Sequence, residues 1–255
     1  MSKFQDIAIK AAQEAGKILM AHYGQLTEIR WKEVEHGAVS IVTDADIKSE
    51  AKIISILKAE FPEFGIYGEE SGGQNMEADY VWYVDPLDGT NNFSRNIPFF
   101  GISIGLVYQG QPIVGILYFP TINLLLSAEE GQGCWANSKK VQVSKRSLAE
   151  SLYYAGGKFR NQTQMNLNLA QSCGLIKIID ASSYELAQIS MGDAEIYHLT
   201  NVPHDVAAGV CLIREAGGIV TEENGAPWDI NSKTILATNG VIHQEVVEIL
   251  KTNTK

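Results

Sequence analysis

A mixed α/β chain is the fold class this sequence predicts, and three observations carry the prediction. Apolar residues recur at helical spacing near the N-terminus. From Gly101 to Val143, short apolar runs alternate with turn signals, as in an antiparallel meander. Beyond about Ser144, strand-like and helix-like patterns alternate. Together they predict one domain over residues 1–255, with an N-terminal lobe of about 1–145 and a C-terminal lobe of about 146–255.

The elements follow in order. Phe4, Ile7, Ala8, Ala11, Ala15, Ile18 and Leu19 define an amphipathic first helix ending near Gly24. Residues 32–40 read as a polar loop containing Gly37. Thr43-Asp-Ala-Asp46 opens a second helix as a capping-box-like start, and Ile47, Ile53, Ile54 and Leu57 carry it to about Glu60. Short strands are expected near residues 64–68 and 80–85. The meander turns at Gln109-Gly-Gln-Pro112, Pro120-Thr-Ile-Asn123 and Glu130-Gly-Gln-Gly133. Strands are then expected at 152–155 and 176–180 with a helix between them, followed by a helix at 183–191 and a strand at 194–199. A helix over 205–216 is closed by Gly217-Gly218.

Gross composition narrows the function classes. With 255 residues, 45% of them hydrophobic, the chain can bury a large core. The net charge of −10 argues against nucleic acid or an anionic membrane as the main partner. Acidic residues interrupt the N-terminal apolar pattern, so it does not read as a signal peptide, and the longest apolar runs are too short to span a bilayer. Cys134, Cys173 and Cys211 form no CxxC pair and read as reduced thiols of a cytoplasmic protein.

The chemistry concentrates in Trp82-Tyr-Val-Asp85-Pro-Leu-Asp88-Gly-Thr90-Asn-Asn-Phe93. Two carboxylates, Asp85 and Asp88, stand at the end of a buried strand, with Pro86 stiffening the link and Gly89 permitting close backbone approach. Such a pair repels itself and one member protonates unless a cation neutralises it. Oxygen ligands favour Mg²⁺, and no His/Cys cluster competes. If Gly89 and Thr90 open a helix, their amides make an anion site. Asp44/Asp46, Glu69/Glu70 and Asp205 also sit at element boundaries, each with a plain structural reading: a cap for Asp46 and Asp205, a solvated loop for the glutamates. Gly101-x-x-x-Gly105 reads as part of a strand, and P-loop and nucleophile-elbow patterns are absent.

With Gly68-Glu-Glu-Ser71, the Trp82–Phe93 segment and Asp205-Val-Ala-Ala-Gly209…Glu215-Ala-Gly-Gly218 in this order, the chain resembles the inositol monophosphatase family. These are Mg²⁺-dependent, lithium-sensitive phosphatases, and the resemblance runs from Val42 to Asn239. It implies a layered αβαβα sandwich and a homodimer. Glu69, Asp85 and the Leu87 carbonyl would bind a first metal; Asp85, Asp88 and Asp205 would bind a second; Glu69 would reach a third through water. Thr90, oriented by Asp46, would help polarise the water on the first metal, and the Gly89 and Thr90 amides, beside Asp88, would hold the phosphate.

Departures from the family pattern bear on substrate. His204 replaces the usual Trp before Asp205, with packing or helix capping as its simplest role. His198 stands seven residues before Asp205, where inositol-preferring members carry a glutamate, and Ser182 lies in the divergent segment Asp180-Ala-Ser-Ser183. Both are candidate substrate contacts. The expected reaction is hydrolysis of a small polyol or sugar phosphate, inositol 1-phosphate by default. Fructose 1,6-bisphosphate, histidinol phosphate and 3′-phosphoadenosine nucleotides are alternatives within the same chemistry. A non-catalytic regulatory protein on this fold is a different class of reading, opposed by the intact acid set, which a scaffold has no need to keep.

Overall fold

The computed structural model describes residues 2–25, 30–34, 38–155, 163–200 and 202–251. Helix α1 (Lys3–His22) starts at Ser2, whose hydroxyl accepts from the Gln5 amide, and buries Ala8, Ala11, Ala12, Ala15 and Leu19 along one face. Strands β1 (Arg30–Val34) and β2 (Ala38–Val42) pair as an antiparallel ribbon. The loop expected over 32–40 is therefore mostly strand; Gly37 lies outside the described residues. Lys32, Glu33, Glu35 and His36 give the stretch its polar reading, whereas the backbone pairing, from Arg30 with Val42 to Val34 with Ala38, is what makes it a ribbon.

Helix α2 (Asp44–Glu60) opens with the expected capping box at Thr43. Strands β3 (Gly65–Gly68) and β4 (Gly72–Gln74) form a short hairpin. Strand β5 (Tyr80–Asp88) runs past the expected stop at residue 85 and accommodates Pro86-Leu87 as a register shift against its neighbour. Helix α3 (Thr90–Ser94) follows at once. The meander is β6 (Gly101–Tyr108), β7 (Gln111–Phe119), β8 (Leu124–Glu129), β9 (Gly133–Ala136) and β10 (Lys139–Val141). All join one eight-stranded sheet of order β10-β9-β8-β7-β6-β5-β3-β4.

After Val141 the chain builds a second sheet. Strand β11 (Leu152–Ala155), helix α4 (Thr163–Ser172), strand β12 (Leu175–Lys177), helix α5 (Ser182–Ser190) and strand β13 (Ile196–Thr200) agree with the expected order, β12 being shorter and exposed at the edge. Helix α6 (Pro203–Glu215) is followed by β14 (Ile219–Thr221), β15 (Thr234–Thr238) and helix α7 (His243–Lys251), three elements for which no expectation was drawn. The five-stranded order is β12-β11-β13-β15-β14.

Three cores stack these parts into five layers. α1 and α2 cover one face of the large sheet through Leu19, Leu57, Trp82 and Ile104. α5 and α6 fill the space between the sheets with Leu186, Val206, Val210, Tyr197 and Ile235. α4 and α7 close the outer face of the small sheet through Leu169, Ile196, Leu236 and Val246. The order is αβαβα, as the resemblance implied. Among the described residues, no helix is long and apolar enough to cross a membrane.

The seating of α6 depends on two glycines. Gly105 and Gly115 face each other across β6 and β7. A Cβ on Gly115 would meet the Ala208 carbonyl oxygen at 2.3 Å, and one on Gly105 would meet the Ala207 Cβ at 2.9 Å. At its far end Glu215 accepts from the Gly131 and Gly133 amides, at 2.9 and 2.7 Å, pinning the β8–β9 hairpin. Gly115→Ala is expected to cost about 2–3 kcal/mol, because backbone rather than a flexible side chain opposes the new methyl. Thermal unfolding tests this; a melting temperature within a degree of the parent would refute the tight seating.

Candidate active site

The acids come together where β5 ends and α2, α3, α5 and α6 begin. Asp46 lies in the first turn of α2 and is wholly buried. Its Oδ2 accepts from the Thr43 amide (2.8 Å) and hydroxyl (2.6 Å), while its Oδ1 accepts from the Thr90 hydroxyl at 3.2 Å. The cap and the contact to Thr90 are thus made by the two oxygens of one carboxylate. Thr90 Oγ1 also lies 2.9 Å from the Leu87 carbonyl, so its single proton is shared between that oxygen and Asp46. Burial pushes Asp46 up to about 7 against the Thr43 hydrogen bonds, with Glu69 and Glu70 adding to the rise.

Asp85 is buried at the bulge in β5, its Oδ1 accepting from the Leu87 amide at 2.9 Å. Burial first, then the charges of Glu69, Asp205 and Asp88, hold its proton affinity well above the usual carboxylate range. Four acids from three separate segments, Asp85 and Asp88 sharing β5, therefore share one electrostatic field. Asp88 is gripped by the start of α5: Oδ1 accepts from the Ser182 amide (3.1 Å), and Oδ2 from the Ser183 amide (2.6 Å) and hydroxyl (2.5 Å). Its pKa still rises to about 6, because burial outweighs those bonds.

Gly89 has φ of +87° and caps α3, and a Cβ there would strike the Phe99 carbonyl at 2.8 Å. Position 89 is glycine on both counts. Asn92 fastens α3 to the far strand end, donating to the Phe99 and Ile179 carbonyls at 2.8 Å each. Asp205 stands in the first turn of α6, but the residue capping that helix is Val202. Its Oδ1 lies 3.1 Å from His204 Nε2, and the His204 ring stacks on Tyr67, with centroids 5.7 Å apart. His204 is thus held between Tyr67 and Asp205.

Ser182 joins the site through its amide on Asp88 and receives the Tyr197 hydroxyl on its Oγ at 2.8 Å. His198 does not join it. Successive side chains on a strand point to opposite faces, and Tyr197 takes the face toward α5. His198 is 0% exposed and donates from Nε2 to Glu223 at 3.0 Å, so its placement lends nothing to the expected contact with a substrate hydroxyl. Three contributors escaped the sequence reading: Ser183, Ser49, whose hydroxyl donates to the Pro86 carbonyl at 3.1 Å, and Glu50, whose Oε2 accepts from the Glu70 amide at 2.8 Å. Spacing could have found the last two, since positions three and four after Asp46 share its helix face.

The donor set suits a hard divalent cation: mutually repelling carboxylates with raised proton affinity, beside a backbone carbonyl and a hydroxyl. Among the described residues, no three His, Cys, Asp or Glu side chains stand closed around one ion position. Asp85, Asp88 and Asp205 are instead turned onto protein partners, so binding would draw them toward a common centre.

The raised values of Asp46, Asp88 and Glu185 (about 7, 6 and 8) fix the sign of a pH dependence. For Glu185, too, burial is the main cause. Each group binds its proton more tightly folded than unfolded, so its stabilising contribution is present below about pH 4 and is lost as pH rises through 6 to 8. The melting temperature of metal-free protein is expected to fall between pH 5 and 8.5, and millimolar Mg²⁺ to flatten the fall. A metal-free melting temperature that rises over that range would contradict the buried-acid account.

Comparison with known proteins identifies the family of the chain. The model of the inositol monophosphatase family matches residues 1–255. A fructose-1,6-bisphosphatase/inositol-1-monophosphatase of Thermotoga maritima is 31% identical over 247 residues, covering 96% of this chain and 94% of that protein. An inositol-1-monophosphatase of Synechocystis is 35% identical, covering 96% and 88%. The crystal structure of the extragenic suppressor protein suhB from Bartonella henselae superposes with a TM-score of 0.91 at 31% identity, covering 99% of this chain and all of that one. The chain belongs to the inositol monophosphatase family, and it is a phosphatase.

Proposed function

We propose that the chain is a Mg²⁺-dependent phosphomonoesterase acting on a small polyol or sugar phosphate, with inositol 1-phosphate as the first substrate to test. The observation that carries this reading is the convergence of Glu69, Asp88 and Asp205 on buried Asp85, next to the Asp46–Thr90 pair. Glu69, Asp85 and the Leu87 carbonyl are proposed to hold one ion, Asp85, Asp88 and Asp205 a second, and Glu69 a third through water. A Mg²⁺ held there would supply an activated water nucleophile and stabilise the departing oxygen.

The protein's own groups do the rest. Thr90, held between Asp46 and the Leu87 carbonyl, is placed to orient the attacking water and pass its proton toward Asp46. The Gly89 and Thr90 amides, at the turn where α3 begins, are the proposed phosphate donors, with Ser182 at the substrate rim. The names borne by the two relatives put inositol 1-phosphate and fructose 1,6-bisphosphate first among substrates. The free thiols of Cys134, Cys173 and Cys211 support a reducing, cytoplasmic setting. We read the chain as a single domain whose lobes meet near residue 145, and as a homodimer on the family resemblance.

The test is phosphate release at neutral pH with Mg²⁺, with and without EDTA, from inositol 1-phosphate, fructose 1,6-bisphosphate, histidinol phosphate and 3′-phosphoadenosine 5′-phosphate. EDTA-sensitive turnover favouring one of them is expected. Asp88→Asn is expected to lower kcat by about a thousandfold or more, roughly 4 kcal/mol of barrier, with the fold retained at a somewhat lower melting temperature, because the new NH₂ faces a donor at the start of α5. Unchanged turnover in that variant would sink the ligand assignment.

A further inference from the structure

Helix α2 carries three buried polar side chains on one face, and each reaches a different part of the site. Asp46 meets Thr90, Ser49 donates to the Pro86 carbonyl between the two strand-end aspartates, and Glu50 accepts from the Glu70 amide. Glu50 is 3% exposed, a buried carboxylate inside a region already crowded with them. Burying such a group is costly, and it persists in a fold where it does something. Its surroundings show what it grips. A Cβ built on Gly68 would lie 2.6 Å from Glu50 Oε2 and 2.7 Å from its Cδ, so the carboxylate rests directly on the backbone of residue 68. With the bond to the Glu70 amide, Glu50 holds both residues that flank Glu69. The Glu69 amide in turn donates to the Val84 carbonyl at 3.1 Å, next to Asp85.

We propose that Glu50 is a positioning residue for metal binding: it fixes the Gly68–Glu70 backbone so that Glu69 stays aimed at Asp85. The inference rests on the metal reading above and adds to it a residue that touches neither ion nor substrate. Because the bond is from a backbone N–H to a carboxylate oxygen, a glutamine at position 50 keeps it through its amide oxygen. An alanine loses both the bond and the rest for Gly68.

The experiment is calorimetric titration of Mg²⁺ into the full-length wild-type chain, Glu50→Ala and Glu50→Gln, with a thermal melt of each. Glu50→Ala is expected to weaken Mg²⁺ binding by about tenfold or more, in line with groups that orient metal ligands from behind, and Glu50→Gln to stay within about threefold of wild type. A lower melting temperature for Glu50→Ala with unchanged Mg²⁺ affinity would mean a purely structural role and overturn the proposal. So would equal weakening in both variants, which would point to charge rather than loop placement. If Glu50→Ala does not fold, Glu50→Asp withdraws the carboxylate by one methylene and carries the same expectation, unchanged affinity again overturning it. Wild-type protein that binds no Mg²⁺ would remove the metal reading itself, and this inference with it; wild-type binding with an indifferent Glu50→Ala removes this inference alone.

Discussion

Mutual repulsion among buried carboxylates is the constraint around which this protein is arranged. Asp85 sits inside the sheet with Glu69, Asp88 and Asp205 bearing on it, and burial raises the cost of every charge. Such a group of acids survives only if donors are supplied to each one. The Leu87 amide serves Asp85, the start of α5 serves Asp88, and Thr43 with Thr90 serves Asp46. Every one of these donors is backbone or hydroxyl, so none of them brings a compensating positive charge. That leaves the site poised for a cation, which compensates the repulsion more completely than hydrogen bonds can.

The layered fold is what brings these donors within reach. α6 delivers Asp205 to the centre because Gly105 and Gly115 let its backbone lie almost on the large sheet. α5 aims its first turn at Asp88 from between the two sheets, and α2 braces the opposite side through Asp46, Ser49 and Glu50. Three helices therefore converge by their N-terminal turns on the end of one strand, each adding partial positive charge where the negative charge gathers. Helix placement here is electrostatic as well as hydrophobic.

The proposed substrate side follows a different logic from the proposed metal side. Its residues come from α3, residues 179–183 and the neighbouring strand, tied together by Asn92 and by the Tyr197–Ser182 bond. These ties hold the backbone of α3 against residues 179–183. His198 is the instructive case. Its place in the sequence suggests a substrate contact, whereas strand alternation turns it away toward Glu223.

What the sequence determined by itself was everything carried by near neighbours along the chain. The capping box at Thr43, the two aspartates at the end of an apolar strand, the meander with its turns and the helix running to Glu215 all rest on spacings of a few residues. Those spacings act through local geometry, so they could be read without coordinates. Only the tertiary structure decided which donors hold each acid, because Ser182 and Ser183 reach Asp88 across 94 and 95 residues. It alone turned His198 from the site, showed that Gly105 and Gly115 seat a helix, and set Glu50 behind Glu69. Long-range pairing leaves no period in the sequence, and a buried polar residue looks like any other until its partner is known.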